Sequence, residues 1–148
     1  MKKIISILAI MLLFLLPQFA MAAGTVTQTY TKVTNDVSCL TYTWTAAAGG
    51  SLTSTASTVA INGYVILVVT NPGDTAPTAS YSITLTDADS CDVMGGTLAS
   101  RSATATEHAV PKIGDVYGGR WVSGILTLNL TGNSISSATG TVAVYIQR

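Results

Sequence analysis

The sequence predicts an all-β fold, an antiparallel two-layer β-sandwich of about seven or eight strands, immunoglobulin-like or jelly-roll-like. Three observations predict this class. Short runs of alternating apolar and polar residues recur along the chain, with Gly, Pro, Asn or Asp between them. One further run is apolar on both faces, as in a covered central strand. After residue 22, no segment shows the apolar period of an amphipathic helix.

The first half of the chain contains four predicted strands. Thr25–Val33 is rich in threonine, and Ser38–Thr45 (SCLTYTWT) alternates in the manner of a half-buried strand. Small residues then predict a turn. Ser51–Val59 alternates serine and threonine with little apolar content, which suits an edge strand. Tyr64–Thr70 (YVILVVT) is apolar on both faces and predicts a central strand.

The second half contains three clear strands and one exception. Ser80–Thr86, Gly124–Leu130 and Thr141–Ile146 each place their apolar residues on one face. Between the first two of these strands, Thr97–His108 (TLASRSATATEH) is long and polar, and it has no period. We expect it to form a surface excursion, with room for one helical turn.

Residues 1–22 have the features of a secretory signal peptide. Two lysines precede an unbroken apolar run over Ile4–Leu16, and a small-x-small motif, AMA, ends at Ala22. The apolar run is shorter than the roughly 20 residues that a membrane span needs. We expect cleavage after Ala22, which leaves one domain, residues 23–148, without a membrane span, in the periplasm, outside the cell or on its surface. A retained N-terminal anchor is the alternative.

The charge balance argues against nucleic acid as a partner. The chain has seven basic and seven acidic residues, and because Lys2 and Lys3 lie in the leader, residues 23–148 carry a net charge of −2. Binding to a phosphate backbone needs clustered basic side chains. The remaining basic residues are scattered: Lys32, Arg101, Lys112, Arg120 and Arg148. A threonine- and serine-rich surface with little charge is typical of extracellular or assembled proteins.

The two cysteines predict a disulfide. In an exported protein, an even number of cysteines indicates a covalent bridge, here between Cys39 and Cys91. A disulfide that closes the loop between residues 39 and 91 would stabilise the fold by about 4 kcal/mol in the chain-entropy model. The alternative is two buried free thiols that act as small apolar side chains.

Three carboxylates cluster in the stretch SITLTDADSCDVMGG. A calcium loop needs a third acidic or amide ligand at a fixed spacing after Asp87 and Asp89, and Cys91 occupies that position. Asp side chains favour turns, because they accept hydrogen bonds from the backbone two residues further on. We therefore predict a hairpin turn. A non-standard Ca²⁺ site that includes Asp92 is the alternative.

No catalytic signature is present, and we expect neither an enzyme nor a cofactor. His108 is the only histidine, and no Gly-x-Ser-x-Gly elbow accompanies it. The glycine pairs do not match a phosphate-binding loop. The acidic residues lie in turn-like stretches or in isolation, which does not suggest the facing pair of a glycosidase.

Aromatic residues offer one possible ligand contact. Trp44 alternates with Leu40 and Tyr42, which indicates the core. Trp121 follows a glycine pair at the start of a strand, where its ring can be exposed, and Tyr117 lies close in sequence. These two residues predict a surface for stacking against a glycan, as the alternative to a purely structural role.

One segment resembles a family. TAPTASYSITLTDADSCDVMGGTLASRSATATEHAVP, from Thr75 to Pro111, is similar to small β-rich accessory proteins encoded among the structural genes of tailed phages and prophages. The similarity extends over Thr41–Ile146. It implies a β-sandwich with a virion-associated or structural role, and it carries over no functional residues. This chain departs from the family at Ser90 and Cys91, and in its leader, which together favour an exported version of the fold.

The sequence therefore predicts an exported, non-enzymatic β-protein that acts by self-association or by attachment to a surface. A subunit similar to chaperone–usher pilins is a variant of this function, since the chain has two cysteines and is rich in Thr, Ala and Gly. A glycan-binding module is the alternative from another class.

Overall fold

A computed structural model describes residues 23–148; the predicted signal peptide, residues 1–22, lies outside the described residues. The described part consists of strands, their connections and one short 3-10 turn at Ala48–Gly50. The strands in chain order are β1 (Thr25–Lys32), β2 (Val37–Thr45), β3 (Thr55–Ala56), β4 (Ile61–Pro72), β5 (Ser82–Thr86), β6 (Glu107–Ala109), β7 (Lys112–Ile113), β8 (Val116–Tyr117), β9 (Arg120–Gly124), β10 (Thr127–Thr131) and β11 (Thr139–Gln147).

The strands form two sheets and a small hairpin. The larger sheet, here called the main sheet, has the order β1-β2-β11-β4-β6, and β9 also pairs with β4. The second sheet has the order β3-β10-β5, and β7 pairs with β8. All of these pairings are antiparallel. The predicted all-β, antiparallel fold is confirmed, while the immunoglobulin-like or jelly-roll-like arrangement stays a prediction.

Both sheets contribute side chains to one buried core. The alternation in β2 places Leu40, Tyr42 and Trp44 in this core, each at most 1% exposed, as the sequence predicts. Apolar residues of β11, β4, β5, β10 and β9 join the core in the same way, and connecting segments add Tyr81, Val93, Met94, Leu98 and Leu126. Burial raises the pKa of the Tyr42 hydroxyl, which donates a 2.7 Å hydrogen bond to the carbonyl oxygen of Leu126.

The predicted central strand is the one that pairs with the most neighbours. β4 pairs with β11 on one side and with β6 and β9 on the other. Its register with β11 shifts at Ile66, because Leu67 pairs with Tyr145 while Val65 pairs with Ile146. The extra residue is a β-bulge, which keeps Val65 and Val68 in the core although they are three positions apart.

The segment Thr97–His108 differs from the prediction in two ways. Before its last two residues, which begin β6, it contains turns and bends but no helical turn, and Leu98 is completely buried. Backbone bonds hold it against β5: Ile83 N–H donates to the Leu98 carbonyl oxygen (3.0 Å), and Arg101 N–H donates to that of Tyr81 (2.7 Å). The segment therefore covers the edge of the second sheet.

The predicted edge strand Ser51–Val59 is regular only at Thr55–Ala56, and it buries one serine. Ser57 is 7% exposed, and its hydroxyl donates to the carbonyl oxygen of Val59 (2.7 Å). The same hydroxyl accepts a bond from the buried N–H of Leu126 (3.1 Å). A polar side chain thus satisfies backbone groups inside the core.

The predicted disulfide is wrong, because both cysteines are free, Cys39 within β2 and Cys91 in the turn after β5. Cys39 is buried on the outward-facing side of the main sheet, where it pairs with Thr31 and Tyr145. Cys91 is exposed in the turn that follows β5, a strand of the second sheet. Packed sheets lie about 10 Å apart, and a disulfide needs Cα atoms within roughly 7 Å of each other. Cys39 also alternates with the core residues of β2, so its thiol points away from the core and from the second sheet.

We expect the two thiols to react at very different rates in the folded protein. Cys91 should be labelled rapidly by a maleimide, whereas Cys39, with 7% exposure, should react only after denaturation. Mass spectrometry of the native and the urea-unfolded protein, labelled without reductant, measures both sites. If neither cysteine takes up label even in urea, the two cysteines form a disulfide after all.

Candidate functional site

The outward-facing side of the main sheet, here called the outer face, carries no charged residue. Side chains alternate between the two faces of a strand, so the positions between the core residues define this face. In the described residues, no Asp, Glu, Lys or Arg occupies such a position. The outward positions are Thr25, Thr27, Thr29 and Thr31 on β1, Val37, Cys39, Thr41, Thr43 and Thr45 on β2, Thr139, Thr141, Ala143, Tyr145 and Gln147 on β11, Asn62, Tyr64, Leu67, Val69 and Asn71 on β4, His108 on β6, and Trp121 and Ser123 on β9.

Nine of these residues form a threonine grid over β1, β2 and β11. Thr25, Thr45 and Thr139 pair across the three strands in one row. The next two rows are Thr27–Thr43–Thr141 and Thr29–Thr41, and the ninth threonine, Thr31, pairs with Cys39. Rows of hydroxyl and methyl groups therefore repeat at about 4.8 Å between strands and about 6.7 Å along them.

In residues 23–148, the charged side chains lie in turns, at strand ends or on the β7–β8 hairpin. Arg101 approaches Glu107 to 3.7 Å, and Lys112 approaches Asp115 to 3.1 Å. The Arg120 guanidinium donates a 2.9 Å hydrogen bond to the carbonyl oxygen of Asp92. The low charge of the chain is thus unevenly distributed over its surface.

An aromatic pair lies where β9 meets β4. Trp121 is 52% exposed, and Tyr64, its cross-strand neighbour, is 48% exposed. Their ring centroids are 5.1 Å apart with an interplanar angle of 71°, an edge-to-face arrangement. The predicted exposure of Trp121 is confirmed, and the structure adds Tyr64, which the apolar run YVILVVT does not single out.

Tyr117 lies at a different place from this pair. It projects from the β7–β8 hairpin with 66% exposure and lines an open cavity of about 330 Å³ together with Thr97, His108 and Val110. The Lys112 ammonium lies 5.9 Å from the centre of the Tyr117 ring. The cavity lining does not include Trp121, so the two residues predicted as ligand contacts do not form one site.

His108 is exposed on β6, where it pairs with Val69. In the described part of the chain, its imidazole makes no hydrogen bond to a hydroxyl group or a carboxylate. Glu107, its neighbour in sequence, accepts a bond from the N–H of Ser102 and pairs with Arg101 instead. Among the described residues, His108 therefore has no partner that would orient it as a general base.

The acidic stretch forms the predicted turn. One carboxylate oxygen of Asp87 accepts hydrogen bonds from the N–H groups of Asp89 (3.1 Å) and Cys91 (2.9 Å). The two oxygens of Asp92 accept from the N–H groups of Met94 (3.1 Å) and Gly96 (2.7 Å). Both side chains are used to fix backbone, as expected of Asp in turns.

Comparison with protein families, curated proteins and solved structures finds no match for this chain. The resemblance to phage accessory proteins therefore stays a prediction. In residues 23–148, no helix is long and apolar enough to cross a membrane.

Proposed function

We propose that this protein is an exported, non-enzymatic interaction protein that attaches to a surface or assembles through its outer face. The observation that carries the proposal is the absence, in the described residues, of Asp, Glu, Lys and Arg from the outer face, whose β1, β2 and β11 positions are mostly threonines. The leader-like features of residues 1–22 support export, and the resemblance of Thr75–Pro111 supports a virion-associated or structural role.

An uncharged, threonine-lined face is suited to contact for physical reasons. No ion has to be desolvated when such a face is covered. Threonine is stiff about its first side-chain bond, so little side-chain entropy is lost on contact. Its hydroxyl group can bond to a partner or to a bridging water. Attachment should therefore depend little on salt concentration.

A charge placed on the outer face tests the proposal. Thr43 is exposed in the middle of the grid, and Thr131 is exposed at the end of β10 in the second sheet. We expect Thr43→Lys to reduce the amount of exported protein associated with cells or particles by about tenfold, and Thr131→Lys to leave it unchanged. Sedimentation and electron microscopy of the exported material measure this association. A wild-type protein found only free in solution would refute the proposal.

Glycan binding is the second candidate, and the half-exposed Tyr64–Trp121 pair favours it. Sugar rings stack on exposed aromatic faces, and this pair stands on a rigid sheet. Under this candidate, a glycan array should show binding that Trp121→Ala abolishes. Tyr117→Ala is the matched control, because Tyr117 lines a different cavity and its loss should leave binding intact.

A further inference from the structure

β1 is a long, unprotected edge of the main sheet. It pairs with β2 in unbroken register over all eight of its residues, and no strand in residues 23–148 pairs with its other side. Exposed edges in natural proteins are usually blunted by proline, charge, a bulge or short length. β1 has no proline and no bulge, and its one charge is Lys32 at its end. β6, at the opposite edge, has only three residues.

The backbone groups that point to the free side can be assigned. Ala46 N–H donates to the carbonyl oxygen of Ala138, on the β11 side, so the even-numbered residues of β2 bond toward β11 and the odd-numbered ones toward β1. The odd-numbered partners on β1 therefore bond to β2. The N–H and C=O groups of Val26, Gln28 and Tyr30 consequently point away from β2, to the side where no strand in residues 23–148 pairs with β1.

Side-chain hydrogen bonds already order β1 in the single chain. The Gln28 side chain donates from Nε2 to the carbonyl oxygen of Ala56 (2.7 Å) and accepts at Oε1 from the N–H of Thr58 (2.8 Å). These two bonds tie β1 to the β3 region. Ordering of this edge is therefore already achieved in the single chain, which lowers the cost of adding a strand to it.

The sequence of β1 is symmetric about Gln28. Threonines lie one and three positions away from Gln28 on both sides, and Val26 and Tyr30 lie two positions before and after it. A two-fold antiparallel pairing of two copies of β1 would place threonine opposite threonine on the outer face and Val26 opposite Tyr30 on the inner face. Hydroxyl pairs and aromatic–β-branched pairs are both favourable across strands. Lys32 would lie opposite Gly24, away from the second copy's Lys32.

We propose that two copies of this chain pair through β1 in a two-fold antiparallel arrangement centred on Gln28, which joins two main sheets into one. This inference rests on the proposed function, since it names one partner for an interaction protein, yet it uses the edge of the sheet and not its face. The dimer would present a single threonine grid of twice the width.

Proline at the free edge tests the pairing. Val26→Pro removes an N–H that points away from β2, whereas Val26→Ala keeps that N–H and loses the same side chain. Because the arrangement is two-fold, Val26→Pro removes two intermolecular hydrogen bonds, and we expect the dimer dissociation constant to rise roughly tenfold to thirtyfold over that of Val26→Ala. Sedimentation velocity of the purified full-length protein measures both constants. A wild-type protein that is monomeric at its highest attainable concentration would overturn the pairing.

Hydrogen exchange of the wild-type protein gives a second test that needs no variant. The amides of Val26, Gln28 and Tyr30 should become protected as protein concentration rises, while those of Thr27 and Thr29, bonded to β2, should be protected throughout. Concentration-independent exchange at the first three would overturn the pairing, even if Val26→Pro fails to fold. Thr43→Lys separates this inference from the proposed function, because it should reduce attachment and leave the dimer intact.

Discussion

Replacing Trp44 with alanine is expected to lower the free energy of unfolding by about 4 kcal/mol, since deletion of a buried aromatic ring costs roughly 3–5 kcal/mol. Trp44 is 1% exposed, and its ring centroid lies 6.0 Å from that of Tyr81. The backbone of Gly140 packs against the same ring, where an added Cβ would come within 2.6 Å of Trp44 Cζ2. Because Gly140 pairs with β2 on one side and β4 on the other, β11 cannot move in to fill the space left by the indole ring. Urea unfolding followed by far-UV circular dichroism measures the loss.

Trp121→Ala is the matched control, because it makes the same substitution in a half-exposed tryptophan. Its loss should cost about 1 kcal/mol, mainly through the edge-to-face contact with Tyr64. Equal losses from Trp44→Ala and Trp121→Ala would contradict the assignment of Trp44 to the core. Trp44→Phe should cost less than half as much as Trp44→Ala. The buried indole N–H of Trp44 has no hydrogen-bond partner in the described part of the chain, so removing it sacrifices no bond.

Alternation predicts the strands whose two faces meet different environments. Leu40, Tyr42 and Trp44 lie in the core because every second residue of β2 is apolar, and this requires no knowledge of the partner strands. The same rule does not find Leu98 or Ser57. Each is a single buried residue in a polar stretch, and its burial depends on hydrogen bonds to residues that are distant in sequence.

The candidate site shows where sequence reasoning ends. The position of Trp121 after two glycines indicates exposure, but its partnership with Tyr64 follows from the register of β9 on β4. The threonine rows likewise depend on the register of β1, β2 and β11. The prediction of a disulfide rests on an even number of cysteines in an exported protein, without any knowledge of geometry. The direction in which the Cys39 thiol points depends instead on its position in the alternation of β2.

Gly63→Ala is expected to destabilise the fold by about 3 kcal/mol, the upper end of the usual cost of overpacking a core position. A Cβ atom at Gly63 would overlap the carbonyl oxygen of Gln147 and lie 3.0 Å from Ile146 Cγ2. The first of these atoms belongs to the backbone of β11, so relief requires β4 and β11 to separate where they pair. Thermal and urea unfolding measure this cost.

Asn62→Ala provides the control for Gly63→Ala, because Asn62 precedes it in β4 and is exposed on the outer face. It should change the free energy of unfolding by less than about 0.5 kcal/mol. The two variants also differ in what they do to the aromatic pair. Separation of β4 from β11 displaces Tyr64, the next residue, so Gly63→Ala should shift the fluorescence of Trp121 while Asn62→Ala leaves it unchanged. Equal stability of the two variants would mean that β4 and β11 approach less closely at this point, and the outer face would then lack the rigid support that both proposed uses of it require.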